Sequence, residues 1–226
     1  MGLLGAAKER MSPRLRRLQA LAARAIFDRG GRDTIEPVSS EELGHDRDEM
    51  VFYKASGRFY LRRAIRPAEV TGEHVFLDLG SGKGRVLDQA ARYPFGRVIG
   101  VEISKRLCEI AERNIERGRR RYRAGAVEVV RADMTAYEIP DDISHIYMYN
   151  PVTGSMFDAV VENIVASLDR RPRPLRLICA ALDPQARAGI NATNRFRLVK
   201  ASRGARLDRP PYLFVYEARR GASEAG

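Results

Sequence analysis

Tryptophan is missing from this chain of 226 residues, histidine occurs three times and cysteine twice. Each shortage rules something out. Cys108 and Cys179 stand far apart and join no C-x-x-C pair or cysteine–histidine cluster, which excludes a disulfide framework and a zinc site of ordinary spacing. Two reduced thiols in apolar settings are expected. His45, His74 and His145 share no spacing that suits metal ligation, so no metal is expected. No apolar run approaches the ~18 residues of a membrane span, and the first residues lack the continuous apolar core of a secretory signal. The expected compartment is the cytoplasm.

What is plentiful is arginine. The formal net charge is +11, and a basic surface attracts polyanions whatever their sequence. The excess is spread along the chain, and no zinc-finger spacing, basic heptad region or aromatic-rich RNA-binding strand accompanies it. A nucleic-acid partner stays open but is not favoured.

The length suits one domain with an appendage. Residues 1–50 read as a basic helix and a connecting loop: Leu4, Met11, Leu15, Leu18, Ala22 and Ile26 recur at helical steps beside Arg10, Arg14, Arg17 and Arg24, and residues 28–48 are polar and rich in breakers. Residues 51–220 form the main domain, and residues 221–226 a tail expected to be disordered. Within the main domain, strands and helices alternate. Strands are expected over residues 74–79, 97–101, 126–131, 143–149 and 175–180, with helices over 83–92, after Ser104, through the stripe Phe157, Val160, Val161, Ile164 and Leu168, and over 183–192. Such alternation demands an α/β fold, a parallel sheet covered on both faces, with ligands beyond the carboxyl ends of its strands. The last strands, 195–200 and 212–219, have no helix between them and should pair antiparallel.

The most telling stretch is Val75-Phe-Leu-Asp-Leu-Gly-Ser-Gly-Lys-Gly-Arg-Val-Leu87, a strand entering a glycine turn and then a helix. A P-loop would need Ser or Thr after its lysine, but Gly84 follows Lys83. A dinucleotide fingerprint would need a third glycine where Arg85 stands. Asp78, at the strand's end, disfavours a phosphate and favours a cation. Glu102 ends strand two and Asp133 follows strand three, so three successive strands carry an acid at the carboxyl end. These suit a cationic nucleoside without phosphates. Glu102 would accept from both ribose hydroxyls, and Asp133 from an adenine amine, with Met134 giving its backbone N–H and an apolar face. Asp78 would help hold an α-ammonium group.

Asp78-Leu-Gly-Ser-Gly-Lys-Gly84 and Glu102 together resemble the class I S-adenosylmethionine-dependent methyltransferases, over residues 53–219. Their wording is also similar to non-SET protein lysine methyltransferases and small bacterial relatives. The resemblance implies a Rossmann-like, doubly wound sheet of seven strands in the order 3-2-1-4-5-7-6, with the last strand antiparallel. It implies S-adenosylmethionine as cofactor and S-adenosylhomocysteine as product. The cofactor-binding candidates are Asp78, Gly80, Ser81, Gly82, Gly84, Glu102, Ile103, Asp133, Met134 and Asn150.

Strand four ends in Asn150-Pro151, where many amino-group methyltransferases carry Asn or Asp, Pro, Pro and an aromatic; Val152-Thr153 replaces the second half. Asn150 is the candidate nearest the transferred methyl. The expected reaction is methyl transfer to a nitrogen, less readily an oxygen, of a small molecule or protein side chain. An RNA acceptor and a catalytically idle cofactor-binding protein are the alternatives. Tyr53, Tyr60 and Tyr149 are candidates for an acceptor pocket, and His145 is expected to be packed within its strand.

Overall fold

The computed structural model describes residues 60–149, 152, 154–203 and 211–219. The basic helix and loop expected before residue 51, Tyr53, Asn150, and the tail expected over 221–226 lie outside the described residues.

A short helix α1 (Tyr60–Ala64) leads to a 3-10 turn (Pro67–Glu69) and then to strand β1 (Val75–Leu79). There follow α2 (Arg85–Ala90), β2 (Arg97–Glu102), α3 (Lys105–Gly118), β3 (Ala126–Arg131), β4 (His145–Tyr149), α4 (Gly154–Arg170), β5 (Arg176–Ala180), α5 (Pro184–Ala192), β6 (Phe196–Arg203) and β7 (Pro211–Ala218). The strands form one sheet in the order β3-β2-β1-β4-β5-β7-β6. β1 to β5 run parallel, and β7 pairs antiparallel with both β5 and β6. This is the architecture expected from the sequence.

Burial follows from position in the sheet. Every residue of central β1 is buried, whereas the edge strands β3 and β6 are mostly half-buried or exposed. Alternation along β1 sends Leu77 and Leu79 to one face, where they join Ile146, Met148 and the α4 stripe Phe157, Val160, Val161, Ile164 and Leu168. Phe76 faces the other way, into a core with Val98, Tyr147, Ile178, Leu61 of α1 and Val86, Leu87 and Ala90 of α2. Asp78, two residues after Phe76, shares that second face.

One helix start and one helix stop depart from the sequence reading, the first in position and the second in its cause. The helix expected from residue 83 begins at Arg85, because Gly84 adopts φ 73 and still belongs to the turn. Gly118 ends α3 as expected, but at φ −87 it supplies no left-handed cap. Crowding explains the glycine there: an added Cβ would meet the Tyr122 hydroxyl and come within 2.7 Å of Asp88 Oδ1.

Candidate functional site

The glycine turn is stitched to its neighbour strand. The N–H groups of Gly80 and Ser81 both donate to the carbonyl of Val101, at 2.9 and 3.0 Å, and Gly84 N–H closes the turn on Ser81 O at 3.0 Å. Gly80, Gly82 and Gly84 have φ of 78, 54 and 73, a region that costs an L-residue about 1–2 kcal/mol. Gly100, in the middle of β2, makes room beneath: a Cβ there would lie 2.8 Å from Ser81 Oγ and would strike Leu87. The sequence reading passed over Gly100, although a glycine inside an apolar strand signals close approach.

Glu102 joins the turn to the next helix. Its Oε2 accepts from Gly82 N–H and its Oε1 from Ser104 N–H, both at 2.9 Å. Ser104 in turn caps α3, its Oγ accepting from Leu107 N–H at 3.4 Å. A carboxylate has about four lone-pair sites. Ile103 lies half-buried between these anchors. Asn114 of α3 donates to Lys83 O at 2.9 Å, and Lys83 is itself only 1% exposed. Neither Asn114 nor the burial of Lys83 was legible in the sequence.

Asp78 is 3% exposed, and no described residue donates a hydrogen bond to its carboxylate. Burial, then the negative charge of Glu102, holds its pKa well above the ordinary carboxylate range. Ser81 Oγ is also buried without a partner among the described residues. A buried acid and an unsatisfied hydroxyl beside a backbone turn suit a polar, positively charged ligand group.

Asp133 stands at the exit of β3, half-buried. Its Oδ1 accepts from the N–H and the hydroxyl of Thr135, at 2.9 and 2.7 Å. The turn is tied down further by Ala132 N–H to Glu102 O at 3.1 Å and Asn163 to Thr135 O at 2.6 Å. Met134 packs partly buried against the α4-side core. Thus Asp78, the glycine turn, Glu102, Ile103, Asp133 and Met134 all lie along one carboxyl edge.

A group the sequence reading caught only in part lies beside the turn. Tyr60 stacks on Tyr149 with centroids 6.3 Å apart and lies 5.3 Å from Tyr212. The hydroxyls of Tyr149 and Tyr212 are 3.1 Å apart. Burial raises the pKa of all three phenols, which keeps them neutral hydrogen-bonding groups. His145 sits at the opposite, amino edge, its ring 5.4 Å from both His74 and Phe95 and 2.9 Å from Ser144 Oγ. Burial, with the charge of Arg176, pushes its pKa down to about 3. It is packed, as expected.

The sheet order is that of the class I, Rossmann-like methyltransferase fold. Comparison agrees: residues 76–174 match the family model described as a methyltransferase domain. A candidate ribosomal RNA small subunit methyltransferase A of Methanopyrus kandleri is 30% identical over 112 residues, 47% of this chain and 38% of that protein. The chain therefore matches well under half the length of that curated relative. A candidate RNA methyltransferase of Pyrococcus horikoshii aligns over 90% of this chain and 97% of its own, with TM-score 0.57 and 16% identity. An RNA methyltransferase of Salinibacter ruber, solved with S-adenosylhomocysteine, aligns over 74% and 94%, with TM-score 0.51 and 20% identity. At those identities the likeness to the two structures is one of fold. No helix among the described residues is long and apolar enough to cross a membrane.

Proposed function

We propose that this domain transfers the methyl group of S-adenosylmethionine to a nitrogen acceptor and releases S-adenosylhomocysteine. The observation that carries the reading is Asp78: a buried acid with no described donor, beside a glycine turn held by Glu102. A ligand with a cationic head satisfies it, whereas a phosphate would be repelled. The cofactor supplies an electrophilic methyl on a sulfonium, so the reaction needs in-line orientation more than a strong base. Asp78 would receive the α-ammonium, and the N–H groups and hydroxyl of the Gly80–Gly84 turn the rest of the amino-acid portion. Glu102 would take the ribose hydroxyls. Asp133 and Met134 would flank the adenine, beside Ile103. Asn150 is assigned the position nearest the transferred methyl, where its oxygen would orient the acceptor nitrogen.

For the molecule bearing that nitrogen, the sequence points to a small molecule or a protein side chain. One observation favours RNA instead: the 30% identical Methanopyrus kandleri protein is described as a ribosomal RNA methyltransferase. Calorimetry with S-adenosylhomocysteine tests the cofactor half of the proposal; absence of binding at millimolar ligand overturns it. Mass spectrometry of an extract incubated with the protein and isotopically labelled cofactor tests transfer and names the acceptor. Cofactor binding without any labelled product would mean a catalytically idle binding protein.

A further inference from the structure

Tyr60, Tyr149 and Tyr212 come from three distant parts of the chain: α1, the end of β4 and the start of β7. β7 runs antiparallel to β5, so its first residues lie at the same sheet edge as the last residues of β4 and the glycine turn. Tyr149 follows Met148, the register partner of Leu79 on β1. By alternation it shares the face of Tyr147 and Asp78. The aromatic group is therefore next to the ligand edge, on the face of the buried acid.

Its surroundings are cationic. Arg85 acts on the Tyr149 phenol and Arg63 on that of Tyr60, and no carboxylate among the described residues acts on any of the three. Lys200 Nζ donates to Arg63 O at 2.6 Å, and Arg63 Nη1 to Arg203 O at 3.2 Å, which brings the exposed cations of β6 against α1. The two bonds go to carbonyl oxygens, so neither Arg63 nor Lys200 has its charge cancelled by them. Rings and cations together match a π-face carried on a phosphate chain.

We infer that Tyr60, Tyr149 and Tyr212, flanked by Arg63, Arg85 and Lys200, form the acceptor subsite and that it takes a nucleobase carried on single-stranded RNA. This rests on the proposed methyl transfer and chooses its RNA acceptor. Neutral phenols at this place supply stacking surface and hydrogen bonds to base edges, while the cations meet the flanking phosphates.

The test is fluorescence anisotropy of the full chain with a short labelled single-stranded RNA, in the presence of S-adenosylhomocysteine. Tyr149→Ala and Tyr212→Ala should each weaken RNA binding about tenfold, the loss of one stacking contact. Tyr149→Phe, which keeps the ring, should stay within about threefold. Arg63→Ala and Lys200→Ala should each flatten the salt dependence by about 0.7 in the log–log slope. Cofactor-product affinity, measured separately, should be unchanged in all four alanine variants, which also shows that they fold. The inference is overturned if the wild-type protein does not bind the RNA, if Tyr149→Phe and Tyr149→Ala lose equally, or if an acidic peptide displaces the RNA as well as unlabelled RNA does. Failure of the wild-type protein to bind S-adenosylhomocysteine would instead overturn the proposed methyl transfer.

Discussion

Replacing Asp78 by asparagine should change how the ligand-free domain responds to pH while destroying its hold on a cationic ligand. The side chain is 3% exposed, and burial with the nearby Glu102 charge raises its folded pKa well above the unfolded value of about 3.9. Between those two values the native state keeps a proton that the unfolded chain has released. Stability therefore falls as pH rises through that window, by up to about 1.4 kcal/mol per pH unit, and the loss is complete above the folded value. For a domain of this size each such unit corresponds to roughly 3–6 °C in Tm. Asparagine cannot ionise, so the variant lacks this descent. Thermal or urea unfolding of both proteins across pH 4 to 8 should show the variant gaining on the wild type as pH rises, even if a misfit amide lowers its stability by a constant amount.

The same substitution should weaken S-adenosylhomocysteine at least tenfold, because a neutral amide offers an α-ammonium far less than a carboxylate does. Saturating product should flatten the wild-type descent, since a bound cation favours the ionised acid. Parallel pH profiles for the two ligand-free proteins would refute the claim that Asp78 carries this cost. Unchanged affinity for the product would refute its assigned partner.

His145 acts with the opposite sign. Its pKa of about 3 lies below the unfolded value, so the unfolded chain binds the extra proton and stability should drop by roughly 2 kcal/mol from pH 7 to pH 5; a His145→Gln variant with an equally steep drop would contradict this. Glu102→Ala removes the acceptor of two backbone N–H groups and the expected ribose contacts, and should weaken S-adenosylhomocysteine at least tenfold by calorimetry. Gly84→Ala places a Cβ 3.1 Å from Ala111 Cβ at φ 73 and should cost about 1–2 kcal/mol in urea unfolding; no loss would mean that the turn relaxes freely. Burial raises the Cys108 thiol to about 11 and Cys179 further still, so a thiol reagent at pH 8 should label both slowly in the native protein and at once in urea.

The sheet was readable because its signals are local: apolar runs of strand length, glycine stops and helix stripes each fix an element within a few residues. Asp78 and Glu102 were readable for the same reason, as acids where strands end. Their environments were not. That Glu102 binds Gly82 and Ser104 depends on β2 lying beside β1 with the turn folded over it, a relation between residues 20 apart. Tyr212 joins Tyr149 only because β7 returns antiparallel along β5, so no local pattern could pair them. Gly118 shows the converse failure: the position was legible, but its physical reason, the crowding of Tyr122 and Asp88, is tertiary.

The two edges of the sheet make the same point about where function lies. At the amino edge Ser144 Oγ accepts from Val75 N–H and donates to Val75 O, both at 3.0 Å, and the Arg97 guanidinium meets Asp142 at 2.9 Å. At the carboxyl edge the chain places three left-handed glycines, a buried acid with no described donor and a buried hydroxyl without one. The acid and the hydroxyl each lower the stability of the ligand-free fold. A cationic amino-acid head is the chemistry that would relieve the acid and the hydroxyl together, which is why the site can be located from its unmet polar groups before any ligand is seen.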